Sequence, residues 1–374
     1  MPVHKRIEWV AKLLLALVAS ALLWRPGRKA AARAALAGAV RRVLLVRIDD
    51  RVGEALLTTP LIGALAGRQE RTEVHVLAHP KVARVLDGLP GLTRVIAFDR
   101  RRLWLGPWAP GIRAQRRERY DAVVNCANWE VPSVTSALVS RLVAAKVPVI
   151  GPAVWPIGRL MDVAVAALPG TTNELAQRRR LLAPLGADGE LSPLRFRAPR
   201  VGPELEQLVA EVGGAPHAVV NPGGRLGWRR IPPEAFAAAA RALSEAGRRP
   251  LITWGPGEEA LAREVAAHAP GAFVAPPTSL DELAALMAAA GLTVCNNTGP
   301  MHLSVAVGAP TLALFLKMDP ARWGHAEPPH HVVDLTPFAA TGTDLGARVR
   351  EETLAFAARV AAHGPRRAAG FHQA

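Results

Sequence analysis

The chain has 374 residues, half of them hydrophobic, which is more than one core usually organises, so two domains are the first expectation. Its 46 Lys and Arg against 31 Asp and Glu leave a net charge of +15, which points to partners carrying negative charge: a phosphorylated substrate, an anionic membrane face or nucleic acid. Cys126 and Cys295, distant in sequence and each inside an apolar strand-like run, argue against a disulfide framework or a cysteine metal site and fit a reducing cytoplasm.

Residues 1–42 stand apart from the rest. The apolar run from Leu13 to Trp24 is short for a membrane span, and Glu8 and Lys12 prevent its extension. Basic residues ahead of an apolar stretch containing Ala19-Ser20-Ala21 also fit a signal sequence. Arg25, Arg28, Lys29, Arg33, Arg41 and Arg42 make the following part strongly basic. The leading reading is an amphipathic segment lying on the anionic inner face of the cell membrane, with a signal sequence, a true span and a helix packed on the protein itself as alternatives.

From Val43 onward short apolar runs alternate with longer amphipathic ones, the pattern of strands and crossover helices in a parallel sheet. Strands are predicted at 43–48, 73–78, 94–98, 121–126 and 147–151, with helices at 53–67 and 133–145. The nearly continuous apolar character of these strands requires cover on both sheet faces. Residues 173–203 combine a basic helix with a Pro/Gly-rich connector, which sets a boundary near residue 190. A second alternation begins near His217, with strands at 217–222, 250–255, 292–297 and 310–315 and helices at 232–247, 258–269, 280–291 and 299–308. Two Rossmann-like halves of this kind bind ligands outside the carboxyl ends of their strands, in a cleft between the halves. No metal-spaced His/Asp cluster, Walker motif or nucleic-acid module stands out in either half.

Three strand-to-helix turns carry chemistry. In VCNNTGPMHLSVAVGAP (294–310), the amides of Thr298 and Gly299 can meet an anion at a helix N-terminus, and Pro300 occupies the first turn, where a missing N–H costs nothing. Asn297 or Thr298 can equally be a simple helix cap, and His302, one turn in, can be structural. The turn NPGGRLGWRRIPPEAF (221–236) adds Gly223 and Gly224, which permit close backbone approach, and Arg229 and Arg230, which suit phosphate oxygens; its bland alternative is a basic surface loop. In RIDDRVGEALLTTP (47–60), Asp49, Asp50 and Glu54 beside Gly53 either complement a helix dipole or supply a base for a substrate hydroxyl.

Taken in order, VLLVRIDDRVGEALLTTPLIGAL, NPGGRLGWRRIPPEAF, LITWGPGEEALAREVA, TSLDELAALMAAAGLTVCNNTGPMHLSVAVGAPTLALF and DPARWGH resemble the bacterial lipopolysaccharide heptosyltransferases, glycosyltransferase family 9, across roughly residues 43–325. The resemblance implies an α/β protein of GT-B fold, with an acceptor domain at 43–190 and a nucleotide-sugar donor domain at 191–374. It implies an inverting, metal-independent transferase without a cofactor, which moves a sugar from a nucleotide-diphosphate donor such as ADP-heptose to a lipid-linked glycan. Nucleic acid is not an expected partner. By position Glu54 matches the family's catalytic aspartate, with Asp50 as the alternative base. Arg229 matches a phosphate-binding lysine, Glu258 or Glu259 a ribose-binding acid, and Thr278 the approach to adenine. Thr298, Gly299 and His302 match the diphosphate turn, and Asn297 stands where the family has an acid that meets the donor sugar. The chain departs from the pattern at Glu54, longer than the usual aspartate by a methylene; at Asn297, an amide for an acid; and at Ile231, where tryptophan is common. The weakened acidic positions make a non-catalytic binding relative of the same fold the alternative function.

Overall fold

The computed structural model describes residues 10–11, 13–14, 17–21, 27–68, 72–130, 132–170, 173–187, 189–197, 203, 207 and 217–363, so much of the first 26 residues of the predicted membrane-surface segment and part of the connector lie outside the described residues. The chain divides into two compact units, with the division between Pro193 and Leu194.

The first unit holds a six-stranded parallel sheet of β1 (Arg42–Arg47), β2 (Glu73–Ala78), β3 (Arg94–Ala97), β4 (Ala122–Asn125), β5 (Val149–Pro152) and β6 (Val163–Val165), in the order β3-β2-β1-β4-β5-β6. Central β1 is in register with both neighbours, Leu44 opposite His75 on one side and Val123 on the other. Because side chains alternate along a strand, Val43 and Leu45 enter one core with Val74, Val76 and Val124, while Leu44 and Val46 enter a second core with Leu77, Val123 and Val149. Both faces are thus covered, as the apolar runs demand.

The single helix predicted at 53–67 is two, Val52–Leu56 and Thr59–Ala66. Thr58 and Thr59 turn their hydroxyls back onto the carbonyls of Glu54 at 2.9 Å and Leu56 at 2.8 Å, and Pro60 has no N–H to carry the ladder across. The break fixes the short first helix, and with it Glu54, directly after β1.

The second unit repeats the plan with β7 (His217–Asn221), β8 (Arg249–Ile252), β9 (Phe273–Val274), β10 (Leu292–Asn296), β11 (Thr311–Phe315) and β12 (His331–Asp334), ordered β12-β11-β10-β7-β8-β9. In each unit the strand order reverses beside the first strand, between β1 and β4 and again between β7 and β10. Ligands of doubly wound sheets bind at such switch points.

In the N-terminal region, helix Arg28–Leu36 is packed onto the first unit. Ala32 is buried, and Arg28 Nε lies 2.5 Å from the buried Asp162 carboxylate, which also receives Arg141 at 2.6 Å. Arg28 therefore faces the protein, whereas Lys29, Arg33 and Arg41 are exposed. Helical residues Val10, Leu14 and Val18, spaced four apart, are 47%, 57% and 54% exposed, while Ala19 packs against the second core. No helix among the described residues is long and apolar enough to cross a membrane.

Candidate functional site

In the second unit the carboxyl ends of β7 and β10 lead into the two predicted polar turns, and buried side chains stitch these turns together. Asn296, the last residue of β10, donates its amide to the carbonyls of Pro222 at 2.6 Å and Gly223 at 3.2 Å and accepts the Ile231 N–H at 3.3 Å. Glu258 accepts the Gly224 N–H at 2.8 Å on one oxygen and the Gly255 N–H at 3.1 Å on the other, tying β7's turn to β8's. A Cβ on Gly223 would overlap that carboxylate, and one on Gly224 would come within 3.1 Å of Thr298 Cγ2. Arg230 donates to the Gly224 carbonyl at 2.5 and 3.1 Å, so it braces the turn.

Two features of this cradle call for an anion. Thr298 occupies the N-cap position of helix Gly299–Ala306 in extended conformation, yet its side chain makes no capping hydrogen bond: among the described residues the Thr298 hydroxyl reaches the Asn296 carbonyl, at 3.4 Å. A helix start left open in this way leaves N–H groups and a dipole that both favour negative charge. Arg229 is half-buried with its Nε enclosed and without an acceptor among the described residues. Burial and the neighbouring Arg225 hold its pKa below the usual arginine value. A guanidinium desolvated beside another cation is unfavourable until an anion arrives.

Among the other predicted donor residues, Asn297 is half-buried, with its backbone N–H on the Leu314 carbonyl at 3.1 Å. Thr278 is half-buried ahead of Ser279, which forms a capping box with Glu282. Glu259 is exposed and paired with Arg263 on its own helix at 2.6 Å. His302 is buried, and its Nδ1 lies 2.8 Å from Nε2 of His325.

The first unit carries a cavity of about 320 Å³ at the carboxyl ends of β1 and β4, lined by Arg47, Asp49, Arg51, Asn128, Thr135, Trp155 and, from the N-terminal helix, Leu13. Beneath it Glu54 is buried in a cage of cations. Its Oε2 accepts from Arg47 at 2.5 Å and from Arg178, its Oε1 accepts from Asn128 at 2.9 Å, and Arg51 stands 3.3 Å away. These partners hold its carboxyl below the usual carboxylate range even though burial alone would raise it. Arg178 is itself fully buried and also bonds Glu174 at 3.1 Å, the Glu54 carbonyl at 3.1 Å and Asn128 at 3.0 Å. Asp49 faces the cavity half-buried, with Arg47 Nε at 2.8 Å, and Asp50 is exposed.

Arg47, Asn128, Arg178 and His325 are the residues that the sequence reading did not single out. Arg47, a charge ending an apolar strand, was a usable signal; Arg178, inside the run Gln177-Arg178-Arg179-Arg180, looked like a solvated basic face. Among the described residues no three His, Cys, Asp or Glu side chains are grouped to hold a metal ion.

The sequence pattern described as glycosyltransferase family 9 (heptosyltransferase) matches residues 111–340. The chain is 25% identical over 292 residues to lipopolysaccharide heptosyltransferase 3 of Escherichia coli, covering 72% of this chain and 82% of that protein. Among solved structures it resembles a family 9 glycosyl transferase from Veillonella parvula, with TM-score 0.71, 19% identity and coverage of 87% of this chain and 98% of the other. It also resembles E. coli heptosyltransferase WaaC with ADP, with TM-score 0.61, 20% identity and coverage of 83% and 99%. These likenesses, with the two doubly wound sheets, give the fold as GT-B.

Proposed function

Because the chain belongs to glycosyltransferase family 9, we propose that this glycosyltransferase moves a heptose from a nucleotide-diphosphate sugar, ADP-heptose in the leading reading, to a lipid-linked glycan such as lipopolysaccharide core, with inversion and without a metal. One observation carries the donor half: the open start of helix Gly299–Ala306, joined to the Gly223-Gly224 turn and to a half-buried Arg229 whose Nε has no acceptor among the described residues. A leaving diphosphate gains negative charge as the bond to the sugar breaks, and fixed N–H dipoles and a desolvated cation stabilise that charge without reorganising. Thr298, Gly299, Arg229 and His302 are assigned to the phosphates, Glu258 or Glu259 to the ribose side, Thr278 to the base and Asn297 to the sugar.

The acceptor half is assigned to the first unit. Its cavity offers an indole, hydroxyls, an amide and cations, a lining suited to an anionic sugar. A carboxylate of the turn after β1 takes the proton of the acceptor hydroxyl, whose oxygen then attacks the sugar's anomeric carbon as the nucleoside diphosphate departs. Glu54 holds the position that the family implies, and Asp50 is the alternative. The exposed stripe Val10, Leu14 and Val18, with Lys29, Arg33 and Arg41, supports peripheral attachment to an anionic cytoplasmic membrane face.

Purified protein incubated with ADP, UDP, GDP and their sugars should be stabilised against heat by at least one nucleoside diphosphate, and should transfer sugar to a lipid-linked acceptor. Absence of any shift would defeat the donor assignment. The occupation of Glu54 by three arginines favours one second reading, a relative that binds nucleotide sugar and does not transfer it. Nucleotide binding without turnover on any acceptor would select that reading.

A further inference from the structure

We infer that His325 is a positioning residue of the diphosphate site, which fixes the plane and the tautomer of His302 so that His302 Nε2 is a hydrogen-bond donor when a nucleoside diphosphate is bound. The inference rests on the donor assignment proposed above and extends it to a residue in the loop after β11.

The geometry is specific. His302 lies one turn inside helix Gly299–Ala306, and His325 follows helix Pro320–Trp323. Their rings meet edge to face, 5.1 Å between centroids and 90° between planes, with Nδ1 of His302 2.8 Å from Nε2 of His325. Two ring nitrogens at that distance share one proton, so the tautomers of the two rings are coupled. If His302 Nδ1 carries the proton and donates it, a neutral His302 keeps Nε2 as an acceptor, which repels phosphate oxygens. If His325 Nε2–H donates instead, His302 Nδ1 accepts and its Nε2 bears the hydrogen. An anion at the helix start therefore selects the second arrangement: the shared proton passes from His302 Nδ1 to His325 Nε2, His302 Nε2 gains a proton and His325 Nδ1 releases one, with no net change in charge. His325 is well enclosed, and burial with the neighbouring His302 and His330 pushes its pKa down to about 2, so its ring is neutral at neutral pH and keeps one bare nitrogen beside one N–H. The arrangement parallels the way a metal-bound histidine has its free nitrogen set by the partner of the other.

Calorimetric titration with ADP, AMP and adenosine tests the assignment on the full chain. His325→Leu removes the ring-to-ring bond, and ADP affinity should fall at least about tenfold, the scale of a hydrogen bond to a charged group, while adenosine affinity stays within about twofold. His325→Gln, whose amide nitrogen reaches about as far as Nε2, should recover most of the loss. In the double variant His302→Ala/His325→Leu the second change should add nothing to the first. Nitrogen-15 spectra of the unaltered protein with ADP give a readout free of folding effects: His302 should be protonated on Nε2 and bare on Nδ1. Undiminished ADP affinity in His325→Leu, additive losses in the double variant, or a His302 protonated on Nδ1 in the ADP complex would each overturn the inference. If the unaltered protein bound no nucleoside diphosphate, the donor assignment itself would fall, a result distinct from normal ADP binding with an indifferent His325.

Discussion

Replacing Glu54 by glutamine should unfold the first unit at a markedly lower temperature, whatever it does to catalysis. The carboxylate is the meeting point of two buried cations, Arg47 at 2.5 Å and Arg178, with the exposed Arg51 at 3.3 Å. Glutamine keeps the shape and the Asn128 contact and deletes the charge. Breaking a buried pair by removing one partner costs about 3–5 kcal/mol, because the other charge remains desolvated. The low end applies here, since Arg178 keeps Glu174 at 3.1 Å and Arg47 keeps Asp49 at 2.8 Å. For a unit of this size a loss of about 3 kcal/mol lowers the melting temperature by about 6–12 °C. Glu54's pKa is lowered by folding, so its contribution is complete above the ordinary carboxylate pKa and fades as pH falls toward the folded value. Calorimetry at pH 7.5, with Glu54→Gln beside Asp50→Asn as an exposed control, makes the comparison. A Glu54→Gln melting temperature within about 2 °C of the parent would refute the reasoning, and if transfer were also abolished it would establish Glu54 as a base with little structural role.

Gly223→Ala places a methyl group against the Glu258 carboxylate and should weaken ADP binding at least about tenfold by opening the turn, with little change in the melting of the first unit; calorimetric titration decides it. Leu14→Glu with Val18→Glu, both at exposed positions, should abolish sedimentation with anionic vesicles and leave thermal stability unaltered; retained vesicle binding would remove the membrane assignment of that stripe. Truncation beyond Arg28 is a different perturbation, because it strips one guanidinium from buried Asp162 and should lower the melting temperature as well. His75, His217 and His325 all have pKa values lowered by burial, so below about pH 6.5 the unfolded chain takes up protons that the folded chain refuses. Stability should therefore decline as pH falls from 6.5 toward 5, by up to about 1.4 kcal/mol per pH unit for each such group. His325→Leu should flatten that slope in urea titrations, and an unchanged slope would count against a neutral His325.

What the sequence made legible followed from how locally each feature is decided. Strands such as β1, β4, β7 and β10 were readable because burial on both faces writes a continuous apolar run. Strands β6, β9 and β12, of two to four residues at sheet edges, are too short to show a period. The polar turns after β7 and β10 were legible because glycines and polar residues between an apolar strand and a helix mark where a strand ends and a helix begins. Their internal roles were not: Glu258 and Arg230 hold the turn itself, and Asn296, the residue next to the one that drew attention, is the link between loops. Arg178 was invisible for another reason, since its burial depends on Glu54, 124 residues away.

The amide of Asn296 has a mechanical consequence. By holding Pro222, Gly223 and Ile231 at once, it ties the loops after β7 and β10, to which nucleotide binding is proposed, into a single body whose shape does not depend on a ligand. A receptor already in its bound form loses little conformational freedom on capture, so more of the contact energy appears as affinity. Its association rate should then be governed by diffusion and charge steering, falling with added salt, with no slow closing step in the donor unit itself. Asn296→Ala would turn one body into two independently moving loops, and the change would be visible as a slower, salt-insensitive phase in nucleotide binding.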